Sequence, residues 1–121
     1  MSGVDMELKK AFLELQEKKI GTEQTLRMSG IQIAAVKRAK QHAALTEKEI
    51  QALDDDTKTY ESVGRMFILT PKSQVEENIR KKQTQADEKI KNLELEMGYL
   101  EKSLKSATDA LRELIQQKKD S

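Results

Sequence analysis

SVGRMFILTPKSQVEENI, running from Ser62 to Ile79, decides how this chain folds. It contains the single proline, Pro71, and an unbroken apolar run, Met66-Phe67-Ile68-Leu69. Thr59 to Val63 and Met66 to Thr70 read as two short strands around Gly64-Arg65, where glycine supplies the positive φ of a tight hairpin. Pro71 ends the second strand. Ser73-Gln74-Val75-Glu76 has the spacing of a capping box, which predicts that a helix opens there.

Outward from this stretch the period changes. On the C-terminal side Ile79, Gln83, Ala86, Ile90, Leu93, Met97, Leu100, Leu104, Ala107, Leu111 and Leu114 alternate by four and three, with Glu and Lys between them. That is a coiled-coil seam. On the N-terminal side Leu8, Phe12, Leu15, Lys19, Thr22, Leu26, Ser29, Ile33, Val36, Lys40 and Ala43 keep the same alternation with more polar interruptions. Gly21 and Gly30 lie inside that helix, and Ile20 and Ile31 fall off its seam, which points to a register shift near the glycines. The two seams have equal length and flank one insert, so an antiparallel pair made by the chain folding on itself is expected. Between them, Thr46-Glu47-Lys48-Glu49 fits a second capping box and predicts a short helix through about Leu53, with Ile50 and Leu53 on one face. Asp54-Asp55-Asp56 then opposes helix continuation, because carboxylates at a C-terminus oppose the dipole.

The expected architecture is α+β, mainly α: a long antiparallel two-helix coiled coil with one β-hairpin at its closed end. A single unit over 1–121 would comprise a helix over about 5–43, a short helix and hairpin over about 46–71, and a second helix over about 74–118. Composition agrees. Charged residues reach 36% and aromatics only 3%, too few bulky groups for an ordinary core of this length but suited to helices that bury a narrow seam.

A two-stranded hairpin alone is marginal in water, and its outer edges expose unpaired backbone groups. Here Met66 to Leu69 also put apolar side chains on both faces. One face can rest on Ile50 and Leu53 or on the base of the coil; nothing in the chain is left to cover the other. Hairpins from several subunits joined edge to edge into a shared sheet or closed barrel would meet that need. Tyr60, Val63, Gly64, Met66, Phe67, Ile68 and Leu69 are the residues expected to carry this assembly.

A coiled-coil helix, a capped turn, the hairpin Tyr60-Glu61-Ser62-Val63-Gly64-Arg65-Met66-Phe67-Ile68-Leu69 and a second coiled-coil helix together resemble a prefoldin subunit. The opening Asp5-Met6-Glu7-Leu8-Lys9-Lys10-Ala11-Phe12 is similar to that of eukaryotic members, and a single hairpin places the resemblance in the β class. The resemblance implies a hexamer of α- and β-class subunits, with a β-barrel platform bearing coiled-coil tentacles. It implies an ATP-independent holding chaperone that binds unfolded clients, actin and tubulin among them, and delivers them to the group II chaperonin without a cofactor. Client contacts would lie at the free helix ends: Val4, Met6, Leu8 and Phe12 with Leu111, Leu114 and Ile115. There, seam residues lose the layer that would cover them, and six weak tips gain by acting together.

Other functions find little in the residues. Lys plus Arg is 22 against 21 for Asp plus Glu, so no basic footprint for nucleic acid or an anionic membrane exists. No cysteine is present, and HExxH, GxSxG and glycine-rich phosphate loops are missing. An EF-hand begun at Asp54 would require glycine and glutamate where Thr59 and Arg65 stand. His42, the single histidine, has no ligand set beside it, so no metal site is expected. The N-terminus lacks the apolar segment of a signal peptide and no run reaches membrane-span length, which predicts a soluble intracellular protein, cytoplasmic as the resemblance implies, and the missing catalytic motifs predict that it is not an enzyme. A structural coiled-coil scaffold or tether without chaperone activity is the rival expectation.

Overall fold

The computed structural model describes the backbone of residues 3–120 and the side chains of 6–119. Four elements follow one another: α1 (Gly3–Gln51), β1 (Thr59–Val63), β2 (Met66–Thr70) and α2 (Lys72–Asp120). Packing divides them into two compact units. One is Ile33–Asn92; the other comprises the remaining described residues of α1 and α2.

In the Ile33–Asn92 unit, the end of α1 and the start of α2 share a small core of Ala43, Val75 and Ile79, against which Ile50 packs. Two polar pairs bind the helices beside it. Gln83 Nε2 donates to Glu47 Oε2 at 3.1 Å, and Lys40 pairs with Asp87 at 2.5 Å. The short helix expected from Thr46 does not exist as a separate element: α1 continues unbroken to Gln51. The Thr46 hydroxyl does not cap a helix start; it donates back to the His42 carbonyl at 2.9 Å, a bond made within a running helix. The reason is that the seam continues past Ala43 through Glu47 and Ile50, both partly buried. Beyond Gln51 the backbone turns through bonds from Ala52 to Lys48, Leu53 to Ile50 and Thr57 to Asp54.

The start of α2 also differs from the capping-box expectation. It begins at Lys72, with the Pro71 carbonyl accepting from Gln74 and Val75 at 3.0 Å each. Pro71 stands where a cap stands, and Glu76 turns to Lys72 and Arg80 instead of reaching back. Lys72, its side chain only 12% exposed, spans the junction. Its ammonium donates to the Leu53 carbonyl at 2.7 Å and to Asp55 at 3.2 Å, so the loop after α1 is tied to the first residue of α2.

In the other unit the seam positions of both helices are shielded, with Ser29 and Ala107 buried and Leu15, Leu26, Met97, Leu100 and Leu104 partly so. Lys19 alone among these seam positions is exposed, whereas the charged seam residues Lys40 and Glu47 of the other unit are partly buried. Ile20 and Ile31 are exposed too, so no register shift occurs at Gly21 or Gly30 and the four-three phase runs straight through. Among the described residues no helix is long and apolar enough to cross a membrane.

Candidate functional site

Two surfaces carry apolar groups that the fold leaves open. The first is the hairpin. β1 and β2 pair antiparallel in the register Thr59↔Thr70, Tyr60↔Leu69, Glu61↔Ile68, Ser62↔Phe67 and Val63↔Met66. Gly64 has φ 63°, and Arg65 lies at negative φ, the pattern of a type II′ turn whose twist matches that of the flanking strands.

Alternation along the strands sorts the side chains into two sets. Thr59, Glu61, Val63, Met66, Ile68 and Thr70 share one face. Thr59, Glu61 and Thr70 there are partly buried, and Asn78 of α2 donates to Glu61 at 2.7 Å. Tyr60, Ser62, Phe67 and Leu69 share the opposite face. It is open: Phe67 is 74% exposed, and Tyr60 and Leu69, directly paired across the strands, are exposed as well. Six of the seven residues expected to carry assembly divide between the two faces, Tyr60, Phe67 and Leu69 on one and Val63, Met66 and Ile68 on the other, and all six are exposed; Gly64 lies in the turn.

The strand margins are open too. Counting from the Val63↔Met66 pair beside the turn, hydrogen-bonded pairs alternate with pairs whose backbone groups point outward. Tyr60 and Ser62 thus present donors and acceptors along the β1 margin, and Phe67 and Leu69 along the β2 margin. Such margins are templates for another strand.

The second surface lies at the helix ends within the unit outside Ile33–Asn92. Leu8 and Phe12 of α1 meet Leu111, Leu114 and Ile115 of α2 around an open groove of about 530 Å³. Five of the residues expected at the tip are thereby brought together. Met6 is 67% exposed and does not line the groove, and the Val4 side chain lies outside the described residues. Sequence reasoning missed the rim, which is formed by Lys9, Lys118 and Lys119. A signal for it existed: Lys118 is the next four-residue step after Leu114, and Lys9 adjoins Leu8.

Neither surface offers an enclosed, polar pocket. Both are exposed apolar areas, and what such areas do is bind other apolar surface. The Asp54 to Asp56 turn is engaged at Asp55 by Lys72.

Comparison with known proteins agrees with this geometry. A family model described as prefoldin subunit matches residues 13–118. Prefoldin subunit 1 of Homo sapiens is 51% identical over 112 residues, covering 93% of this chain and 92% of that protein. A probable prefoldin subunit 1 of Caenorhabditis elegans is 39% identical over 116 residues, covering 95% and 98%. Among solved structures, the prefoldin beta subunit from Thermococcus strain KS-1 superposes with a TM-score of 0.52 at 25% identity, over 88% of this chain and 87% of that one. Two long helices joined by one antiparallel hairpin, on a sequence matched by the family model over residues 13–118 and up to 51% identical to these relatives, place this chain in the prefoldin subunit family.

Proposed function

We propose that this chain is a β-class subunit of a cytoplasmic prefoldin hexamer, a co-chaperone that holds unfolded polypeptides and passes them to the group II chaperonin without ATP or any catalytic step. Actin and tubulin are the expected clients. The observation that carries the reading is the uncovered face of Tyr60, Phe67 and Leu69 between two unpaired strand margins. Edge-to-edge union with hairpins of α- and β-class partners into a barrel covers both. The helix ends, with Leu8, Phe12, Leu111, Leu114 and Ile115, then serve as one of several weak client contacts whose combined effect exceeds any single affinity.

The test is reconstitution with the other prefoldin subunits, followed by native mass spectrometry. The wild-type chain enters a hexamer, and Phe67→Asp with Leu69→Asp is excluded from it. Entry of the double variant at wild-type yield overturns the assembly role. Removing residues 1–7 and 114–121 leaves the hexamer intact and weakens suppression of aggregation during refolding of actin, read by light scattering. Unchanged suppression overturns the client role of the helix ends.

A further inference from the structure

The outer face of α1 carries a second pattern, displaced from the seam. Met6, Lys10, Leu13, Glu17 and Ile20 alternate by four and three, each two residues before a seam position from Leu8 to Thr22. Two residues turn an α-helix by about 200°, so this row lies on the side away from α2. Met6, Leu13 and Ile20 recur every seven residues and are all more than half exposed; Lys10 and Glu17 beside them are exposed too. Exposed apolar groups at heptad spacing, interrupted by one lysine and one glutamate, make a row complementary to itself. We propose that this row docks against the same row of a second copy of the chain, antiparallel, about a two-fold axis at Leu13.

A two-fold contact is one patch meeting itself, so each unlike pair across it occurs twice. With the axis at Leu13, that residue meets its own copy, Met6 meets the second copy's Ile20, and Lys10 meets its Glu17. The charged pair fixes this register. Sliding by one heptad brings Lys10 onto its own copy or Glu17 onto its own, and parallel alignment does both. Glu14 lies near its copy beside the axis and opposes the contact, and the row spans only about 21 Å of helix. The interface is therefore of the small, transient class. It uses neither the client groove, which lies on the seam side, nor the hairpin. Its effect is to tether two prefoldin assemblies by their helix ends.

The test is sedimentation of the reconstituted assembly at low salt, loaded from about 1 to 100 µM. The wild-type assembly is expected to move toward twice its mass as concentration rises. Lys10→Glu alone and Glu17→Lys alone each replace two ion pairs by two like-charge pairs, and each is expected to weaken association about tenfold. Lys10→Glu together with Glu17→Lys restores opposite charges and is expected to return the affinity to within about twofold of wild type. Mixed in equal amounts, the two single variants are expected to associate with each other more tightly than either does with itself. Circular dichroism checks that helix content is unchanged throughout. A wild-type mass that stays constant over this range overturns the proposal. Association that survives either single substitution undiminished also overturns it, because the contact then lies on another surface. The mass at the lowest concentration reports hexamer formation in the same runs, so failure of the assembly reading is seen separately.

Discussion

Asn78 donates from its side-chain amide to Glu61 across 2.7 Å, and this bond anchors the inner face of β1 to the second turn of α2. Gln74 fixes the amide in turn, donating to Asn78 Oδ1 at 2.9 Å. The hairpin is thus oriented by a short polar chain, leaving its apolar side chains for other surfaces. Asn78→Ala removes both bonds and is expected to destabilise the hairpin by about 1–2 kcal/mol. Asn78→Asp sets a carboxylate against Glu61 and should be worse. Hydrogen exchange at the β1 amides reads both; equal protection in the two variants would contradict the assignment.

Lys72 makes two kinds of contact that differ in worth. Asp55 is 99% exposed, so that ion pair contributes little. The Leu53 carbonyl, by contrast, receives a charged donor at 2.7 Å from a side chain held away from water. Lys72→Met is expected to cost about 1.5–3 kcal/mol, and Asp55→Ala less than about 0.5 kcal/mol. Urea denaturation of the two variants separates these values.

Ile79 and Lys40 both join α1 to α2, through burial and through charge respectively. Ile79 is 8% exposed in the Ala43–Val75 core, so Ile79→Ala is expected to lose about 2–4 kcal/mol. The side chains of Lys40 and Asp87 are 42% and 56% exposed, so Lys40→Ala should lose no more than about 1 kcal/mol, and less in high salt. Thermal melts at two ionic strengths distinguish them.

Glycines at 21 and 30 sit in an unbroken helix with open space where a Cβ would be. Gly21→Ala with Gly30→Ala is expected to stabilise the chain by about 1–2 kcal/mol, raising its melting temperature. Gly64→Ala works the other way. At φ 63° a Cβ meets the neighbouring backbone, and a loss of about 1–2 kcal/mol is expected.

The seam and the hairpin were legible because each follows a strict period: four-three for the helices, two for the strands. Every position on the C-terminal seam from Ile79 to Leu114 is buried or partly buried. What the sequence hid was the continuation of that period through polar residues. Glu47 and Gln83 satisfy each other across the helices, so the seam runs on where an apolar criterion ends it. Thr46 and Ser73 carry the residue types of helix caps, yet local composition does not reveal that α1 is still packed at 46 or that Pro71 already stands at the start of α2. Ile20 and Ile31 misled in the opposite sense, as bulky groups that the seam does not use. At the helix ends the apolar floor followed from the seam, whereas the lysines beside it were passed over because a search for apolar positions stops at Leu8 and Leu114.

The turn at Gly64 leaves a sheet whose margins are unlike. One is bordered by Tyr60 and Ser62, the other by Phe67 and Leu69. A row of such hairpins joined β1 to β2 would have a direction, each member offering its neighbour a different side from the one it receives. Rows of that kind end only by closing into a ring or by meeting a member whose last side is blocked. How many members such a row would hold is then a matter of curvature, set by strand twist as much as by the strength of any contact.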